Sequence, residues 1–362
     1  MNSVVLGPVS GRNGMEYDLA DLLAFYPAPF QPLRVQSLGG AGGFSGAQFW
    51  RISTTDGEFV VRRWPPEHPS HERLALIHAV LQFAGERGVQ ILPIPVQGRE
   101  GNSFVSYAGS LWEVCPWLKG EANFHHQPSD EKLVAAMKSL ATFHQATHDF
   151  LPQWSKVQTI PRSWKPRTQS AVADRLGRLT ALTPEAIGRL SEQVTAHTFP
   201  GLAPLARKFL AIVSKVIPAA KAGLAPLADL QFPRQPCIGD IWHDHVLFVG
   251  NEVTGLVDFG ALRIDMPAVD VTRLLDSLVD GDLQKWQFGL DAYQAVRPLE
   301  PSERQAISAL VPVGIILAGC NWIRWIYVEH RTFEPQPAVL GRFERLLSRI
   351  FQLATGRSAG LP

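Results

Sequence analysis

The side chains best suited to chemistry in this sequence are concentrated in one short span, residues 239–260, GDIWHDHVLFVGNEVTGLVDFG. It holds three aspartates, of which Asp240 and Asp258 are the widely spaced candidates, and two histidines, His243 and His245. This composition admits three interpretations: a metal-assisted phosphoryl-transfer site, a zinc site built from the two histidines, or a buried hairpin with charged ends.

A hairpin within this span would bring the two halves of the chemistry together. The turn sequence Gly250-Asn251-Glu252 lies between VLFV and VTGLV, both rich in strand-forming residues. If the strands pair about that turn, residue numbers facing each other add up to about 502, which places His245 within about one residue of Asp258. Two carboxylates and an imidazole would then converge at one end of a ribbon, where a divalent cation and an attacking hydroxyl could be held.

Phosphoryl transfer needs phosphates to be cradled, charge to be neutralised and the acceptor hydroxyl to be positioned by a carboxylate. Arg62, on a strand that reads FVVRRW, can reach phosphate oxygens, Asp258 can ligate a metal and Asp240 can accept a proton. A glycine cluster, GGAGGFSG at 39–46, would let backbone N–H groups approach an anion. Its candidate nucleotide-binding residues are Gly40, Gly42, Gly43, Ser45 and Gly46.

Two familiar nucleotide motifs are excluded for this cluster. Ser45 stands where GxGxxG requires glycine, and no GK[ST] follows, so neither the Rossmann nor the Walker A motif is present. The cluster alone could be an ordinary flexible turn. Strand alternation sends Arg62 and Arg63 to opposite faces, and we favour Arg62 as the inward one.

The surrounding elements divide the chain into two unequal parts. Strand-like runs on either side of the glycine cluster, a helix-like segment at 71–88 and two further strand-like runs at 103–118 predict a small antiparallel sheet with one inserted helix over 35–118. Residues 119–362 are dominated by helical patterns, including an amphipathic helix after Ser129. Residues 1–34 are predicted to form an extension that packs on the small lobe.

Prolines and tryptophans mark the expected connections. Residues 150–168 are rich in Pro, Trp and Arg and predict a loop that either lines an acceptor pocket or packs a long connection. The helical stretches of 169–230 are expected to break at Pro184, Pro200 and Pro218.

The order of these motifs, glycine loop, FVVR strand, inserted helix, LWEVCPWLKG, LATFH, GDIWHDHVLF and GLVDFG, resembles the aminoglycoside phosphotransferase and choline kinase-like small-molecule kinases, from about residue 35 to 350. That resemblance implies a bilobal protein-kinase-like α+β fold. It implies that Asp240 is the catalytic base, Asp258 a metal ligand and Arg62 the counterpart of the strand lysine. It places a hinge for adenine at residues 114–117 (Val114, Cys115 and Trp117) and assigns Asp270 to brace the catalytic loop.

The resemblance also implies ATP and Mg²⁺ or Mn²⁺ as cofactors, with three departures from the family pattern. Ile238 replaces a structural histidine, and His245 stands where an asparagine normally supplies a metal ligand, so His245 is a candidate ligand that favours Mn²⁺ over Mg²⁺. No glutamate is certain to pair with Arg62: Glu72 is nearest, and Ile77 or His78 occupies the expected helix position. These departures keep open a pseudokinase or nucleotide-binding module without turnover.

Composition restricts the partners. With Lys plus Arg at 34 and Asp plus Glu at 33, the formal net charge of +1 gives no field for nucleic acid or an anionic membrane surface. Three widely spaced cysteines predict no disulfide framework, the N-terminus shows no signal-peptide pattern, and the longest apolar run is about a dozen residues, short of the roughly 20 that span a bilayer. We expect a cytoplasmic monomer or homodimer that acts on a small-molecule hydroxyl acceptor, with Asp265 and Trp242 as candidate substrate contacts.

Overall fold

The computed structural model describes residues 9–10, 16–17, 19–27, 32–40, 46–156, 159, 161–164, 170–333 and 336–356. Its first elements are β1 (Val9–Ser10), β2 (Glu16–Tyr17), α1 (Leu19–Leu23), β3 (Arg34–Gly39), β4 (Gln48–Thr54), β5 (Gly57–Arg63), α2 (His71–Glu86), β6 (Val105–Tyr107) and β7 (Ser110–Pro116). Then follow α3 (Asp130–Thr147), α4 (Phe150–Trp154), α5 (Ala171–Ala181), α6 (Pro184–Gln193), α7 (Ala203–Leu224), β8 (Gln235–Cys237), β9 (Val246–Val249), β10 (Glu252–Leu256), β11 (Arg263–Asp265), α8 (Ala268–Val279), α9 (Leu283–Gln294), α10 (Pro301–Tyr327) and α11 (Gln336–Ala354).

The N-terminal sheet has five antiparallel strands in the order β3-β4-β5-β7-β6, as the strand and turn pattern predicts. Strand alternation gives the sheet two different faces: Trp50, Val61 and Trp112 enter an apolar cluster that α1 also joins through Leu22. The other face carries Arg62 and looks toward α2 and the C-terminal part. Ser70 caps α2 by accepting a hydrogen bond from the Arg73 backbone N–H.

The C-terminal part is a helical assembly whose main core is built around α3, α7, α8 and α10. The predicted break at Pro218 is wrong, because Pro218 lies inside α7. A proline removes one helical hydrogen bond, but this helix buries an apolar face that includes Phe209, Val213 and Ile217, and that burial outweighs the loss.

Two helical segments, Ala203–Leu227 and Pro301–Tyr327, are long and apolar enough to cross a membrane by length and composition. The apolar run that the sequence shows at 309–320 is therefore only the middle of a longer helix. Both segments pack against other helices of the C-terminal part, α7 against α10 and α11, and α10 against α8 as well. This packing is that of core helices.

The expectation of a loop at 150–168 is only partly met. Residues 150–154 form α4, and residues 162–164 form a single 3₁₀ turn. Trp154 and Trp164 contact each other with ring centroids 4.9 Å apart and ring planes tilted by 53°, and each packs on Phe150. In the described residues, these tryptophans pack the connection.

The predicted hairpin at the centre of the molecule is confirmed. Strands β9 and β10 pair antiparallel, with Val249 opposite Glu252 and Val246 opposite Leu256, and a bulge lies between Val253 and Gly255. The pairing continues past the strand ends, since the Val257 N–H donates to the His245 carbonyl at 3.0 Å. The hairpin therefore brings the loop that follows β8 beside Asp258.

Candidate active site

The loop that carries Asp240 is held in place by one buried carboxylate, that of Asp270. Asp270, fully buried at the start of α8, accepts hydrogen bonds from the backbone N–H groups of Ile238 at 2.5 Å and Gly239 at 2.8 Å. Gly239 has a φ of +82°, and a Cβ there would lie 2.5 Å from the Ala261 carbonyl oxygen. Only glycine fits this turn, which aims the next residue, Asp240, out of the loop.

Asp240 lies at the mouth of a cavity of about 250 Å³. Its carboxylate forms an ion pair with Arg273 of α8, and the two side chains are 49% and 43% exposed. An exposed ion pair of this kind contributes little to stability and is readily exchanged for another partner. Asp240 is thus accessible to a small molecule that enters the cavity.

Asp258 follows β10 in a left-handed backbone conformation, with φ +60° and ψ +66°. This conformation is unfavourable for most side chains and is typical of functional positions. Its Oδ1 lies 3.8 Å from Arg62 Nη2, and its Oδ2 lies 3.6 Å from His245 Nε2. Because the side chain is 43% exposed, its carboxylate oxygens can still bind a cation from the cleft.

His245 is held between Asp258 and Trp242. The Trp242 indole N–H donates to His245 Nε2 at 2.9 Å, which places the lone pair of that nitrogen on the indole. His245 Nδ1 is buried and has no hydrogen-bond partner among the described residues. Burial lowers the pKa of His245, so the ring is neutral. As placed, His245 can ligate a metal only after Trp242 moves away.

Arg62 has a partner that the sequence reasoning missed, Glu113 of β7. Register places Glu113 directly opposite Arg62, with Glu113 Oε1 3.8 Å from Arg62 Nη1. The other carboxylate oxygen lies 2.5 Å from His78 Nε2, and His78 Nδ1 lies 2.8 Å from the Ser103 hydroxyl. The acid that pairs with Arg62 is thus on strand β7, and helix α2 supplies the histidine that holds this acid. Glu72, the candidate from sequence, is exposed at the start of α2.

The Arg62 guanidinium is confined by these contacts. It stacks on Trp64, with Cζ 3.3 Å from the ring centroid, and burial lowers its pKa while Glu113 and Asp258 oppose that effect. Its Nε is buried without a hydrogen-bond acceptor among the described residues. Arg63 points the other way and bonds Ser110 and Gln48, as the choice of Arg62 requires.

Glu113 provides a pH-dependent test of this arrangement. Burial favours its neutral form, but the His78 hydrogen bond and the charges of His78 and Arg62 bring its pKa below the ordinary glutamate value. A depressed folded pKa contributes stability above the unfolded pKa that is lost as pH falls through the folded one. We expect Glu113→Gln to lower the free energy of unfolding by about 1–3 kcal/mol at neutral pH and by less at acidic pH, measured by urea unfolding. Glu86→Gln, at an exposed helix position, is the control. The difference should hold down to about the ordinary glutamate pKa of 4.5 and shrink below it, so a difference that is undiminished well below pH 4.5 would contradict this role.

The cleft beside Arg62 has a volume of about 410 Å³ and a mostly apolar lining. Because side chains alternate along a strand, Glu113, Cys115 and Trp117 face it together. Val114 does not: it is fully buried in the apolar cluster on the other face, and its carbonyl accepts from the Val96 N–H. The predicted hinge therefore offers Cys115 and Trp117 but not the Val114 side chain.

Only part of the predicted glycine loop can be placed. Gly40 follows β3, and Gly46, with a φ of +76°, precedes β4 at the edge of the same sheet. Gly42, Gly43 and Ser45 lie outside the described residues. Their proposed contacts with phosphate stay a prediction.

The zinc interpretation has no geometric support. His243 is buried, packs on His125 with ring centroids 4.2 Å apart, and has its pKa lowered to about 2 by burial. His245 turns instead toward Trp242. In the part of the chain that the structure describes, the one close group of three ligand-type side chains is His144, Cys237 and Asp270.

That buried group is a hydrogen-bond network. His144 contacts the Tyr293 hydroxyl at 2.8 Å and Asp270 at 3.2 Å, and Cys237 donates to the Asp265 carbonyl. Burial lowers the pKa of His144 and raises that of the Cys237 thiol, which keeps both groups neutral. The network supports the carboxylate of Asp270, which holds the loop that carries Asp240.

The two candidate substrate contacts separate in the structure. Trp242 lines the cavity at Asp240, with the Arg342 guanidinium 3.7 Å from its ring centroid. Asp265 lies on β11, receives hydrogen bonds from Arg263 and the Met266 N–H at 2.9 Å each, and borders a neighbouring cavity. Trp242 can touch an acceptor beside Asp240, whereas Asp265 is held away from that cavity.

Sequence comparison supports one family. A profile of the phosphotransferase enzyme family matches residues 39–299. Among curated proteins, a homoserine kinase of Rhodopseudomonas palustris is 25% identical over 299 residues, covering 81% of this chain and 77% of that protein. A homoserine kinase of Bradyrhizobium diazoefficiens is 24% identical over 300 residues, covering 82% and 77%.

Solved structures confirm the expected fold class. A spectinomycin phosphotransferase in complex with ADP and spectinomycin superposes with a TM-score of 0.63 at 11% identity, covering 92% of this chain and 97% of that one. An amicoumacin kinase in complex with AMP-PNP and Ca²⁺ gives a TM-score of 0.61 at 13% identity, covering 93% and 92%. The α+β, protein-kinase-like architecture predicted from the motif order is therefore correct.

Proposed function

We propose, from the premise that this chain belongs to the phosphotransferase enzyme family and is a small-molecule kinase with a hydroxyl acceptor, that it transfers the γ-phosphate of ATP through Asp240 and Asp258. One observation carries this assignment. The 240–258 segment contributes to two cavities: Asp240 lines the smaller one, and Asp258 lines the larger one beside Arg62. An acceptor in the first cavity and a donor in the second could meet at this segment, as phosphoryl transfer requires.

The larger cleft fits a nucleotide. Its apolar walls can take a base, and its inner end holds the buried Arg62, whose Nε lacks an acceptor among the described residues. A phosphate oxygen would supply that acceptor, and the planar guanidinium suits phosphate geometry. Glu113 and Trp64 would keep Arg62 aimed at the phosphates.

The carboxylate of Asp258 fits a divalent cation, since Mg²⁺ and Mn²⁺ both take oxygen ligands. A cation held there would neutralise charge on the transferred phosphoryl group. Asp258 would hold it between the phosphates in the cleft and the loop of Asp240. The amicoumacin kinase complex with AMP-PNP and Ca²⁺ supports a nucleotide and a divalent metal in this fold.

Asp240 would act on the acceptor hydroxyl. As the acceptor oxygen bonds to the γ-phosphorus and the bond to the ADP oxygen breaks, the hydroxyl proton passes to the Asp240 carboxylate. Asp270 would keep that carboxylate in place through the backbone of the loop. Arg273 pairs with Asp240 in the absence of an acceptor and must give way for this contact.

A second candidate function is a nucleotide-binding module without turnover. Two contacts favour this alternative: Asp240 is already ion-paired with Arg273, and His245 Nε2 already accepts a hydrogen bond from the Trp242 indole. Such a module would bind nucleotide with unchanged affinity after loss of Asp240. We favour the enzyme because both contacts are made by side chains that can move.

The metal tests the role of His245 within this function. We expect acceptor-stimulated ADP formation to be higher with Mn²⁺ than with Mg²⁺, and His245→Asn to shift the preference toward Mg²⁺, because an amide supplies oxygen in place of nitrogen. His126→Asn, at an exposed position, should leave the ratio unchanged. Equal or higher activity of the unmodified protein with Mg²⁺ would count against His245 as a ligand.

The site of action is proposed from the cysteines. All three, Cys115, Cys237 and Cys320, are buried free thiols, as suits a reducing compartment that also contains ATP. We therefore propose that the protein acts in the cytoplasm, as a monomer or homodimer.

A further inference from the structure

The cavity at Asp240 is unusually rich in arginine. Helix α8 presents Arg273 and Asp276 to it, and Asp280 follows at the end of that helix. Helix α11 presents arginines at positions 342, 345 and 349 at helical spacing. Helix α10 supplies an apolar floor that includes Leu310 and Ile315, and Arg175 of α5 completes the wall. The lining of this small cavity thus contains five arginines and three aspartates, an excess of positive charge.

Part of this charge is already paired. Arg349 is 5% exposed and donates to Asp276 at 2.5 Å, so these two residues neutralise each other inside the wall. Arg273 pairs with Asp240. Arg342, Arg345 and Arg175 are the other arginines of the lining, which as a whole carries five arginines against three aspartates.

Arg342 is half-buried in this lining. Burial is the largest effect on its pKa and lowers it to about 10; Asp244 and Asp240 oppose that effect, and the smaller contributions of Arg273 and Arg345 act in the same direction as burial. Its guanidinium lies over the Trp242 ring at the cavity wall. An anion between these arginines would remove their mutual repulsion and accept bidentate hydrogen bonds.

We propose that the acceptor is a small hydroxy compound bearing an anionic group, which Arg342, Arg345 and Arg273 bind while its hydroxyl reaches Asp240. This inference rests on the proposed kinase function. The anionic group would compete with Asp240 for Arg273, so that binding of the correct acceptor frees the carboxylate that takes the hydroxyl proton. A polycationic acceptor would meet like charges instead.

The test compares matched acceptors in one assay of ADP formation. The panel holds hydroxy acids of graded length such as L-homoserine and 4-hydroxybutyrate, their primary amides, the corresponding amino alcohols, glycerol 1-phosphate and the polycation kanamycin. We expect kcat/KM for an anionic acceptor to exceed that for its neutral counterpart by about 10- to 100-fold, the worth of a charged hydrogen bond. The hydroxy acids and glycerol 1-phosphate distinguish a carboxylate from a phosphate as the anion.

Two variants tie the preference to the arginines. Arg342→Gln should raise KM for the anionic acceptor about 10- to 100-fold and leave KM for ATP unchanged. Arg345→Gln, at an exposed position, should also raise KM for the anionic acceptor. It keeps the test decisive if Arg342→Gln fails to fold. Arg304→Gln, an exposed arginine outside the cavity, is the matched control and should change neither constant.

Failure of this inference is distinguishable from failure of the kinase function. The anionic acceptor would be overturned if an amide, an amino alcohol or kanamycin had a kcat/KM equal to that of the anionic acceptors. It would also be overturned if the arginine variants changed only KM for ATP. Either result would leave the kinase function intact. Nucleotide binding with no stimulation of ADP formation by any member of the panel would overturn both this inference and the kinase function, and would favour the nucleotide-binding module. Absence of both nucleotide binding and ADP formation would refute the kinase function and this inference together.

Discussion

Asp240→Asn is expected to reduce acceptor-dependent phosphoryl transfer by about 10²- to 10⁴-fold, the usual contribution of a general base. The amide has nearly the shape of the carboxylate but cannot take the hydroxyl proton. The effect should appear in kcat, because Asp240 faces the acceptor cavity and lies outside the nucleotide cleft. Initial rates of ADP formation with saturating ATP and acceptor measure it.

The neighbouring Asp244 gives a matched control. It lies in the same loop, is 47% exposed and contacts His243. Asp244→Asn should retain activity within a few-fold, and both variants should bind nucleotide as the unmodified protein does. If Asp240→Asn keeps more than a tenth of the activity while Asp244→Asn loses it, the base has been misassigned.

Asp258→Asn is expected to remove metal-dependent turnover. Loss of a carboxylate ligand forfeits several kcal/mol of transition-state charge stabilisation, on the order of 10³-fold in rate. Asparagine is among the residues that best tolerate the left-handed conformation found at this position, so the variant should fold. Rates are measured across Mg²⁺ and Mn²⁺ titrations, and nucleotide binding is measured separately without metal.

The same variant also tests the contact with Arg62. Removing the Asp258 charge leaves Glu113 as the acid beside that buried guanidinium. We therefore expect a modest change in nucleotide affinity and a large change in rate. A variant whose rate at saturating metal equals that of the unmodified protein would show that Asp258 holds no catalytic cation.

Local patterns predicted those parts of the site that depend on neighbours in sequence. The turn at 250–252 determines the register of the hairpin, and the register determines that Asp258 meets His245. Strand alternation predicted that Arg62 and Arg63 face opposite ways, and Arg62 is the one that lines the cleft. The same alternation in β7 places Glu113 in the cleft and Val114 in the core.

Contacts between distant segments were beyond sequence reasoning. Glu113 meets Arg62 only because β7 pairs with β5, and His78 reaches Glu113 only because α2 packs on that sheet. The hydrogen bond from the Trp242 indole to His245 forms because a single 3₁₀ turn at 243–245 brings these two side chains together. For the arginines that line the cavity at Asp240, the sequence gives one indication, the helical spacing of positions 342, 345 and 349. That spacing predicts a shared helix face, but the cavity which this face lines depends on how α11 packs.

The most direct test of the central claim follows the terminal phosphate of ATP. The protein is incubated with γ-labelled ATP, a divalent metal and the acceptor panel, and the label is located by chromatography and mass spectrometry. We predict label in a phosphomonoester of the acceptor, in amounts equal to the ADP formed and absent with Asp240→Asn. Label that stays in ATP despite nucleotide binding, or that appears only as inorganic phosphate with every acceptor, would contradict the assignment of this chain as a working small-molecule kinase.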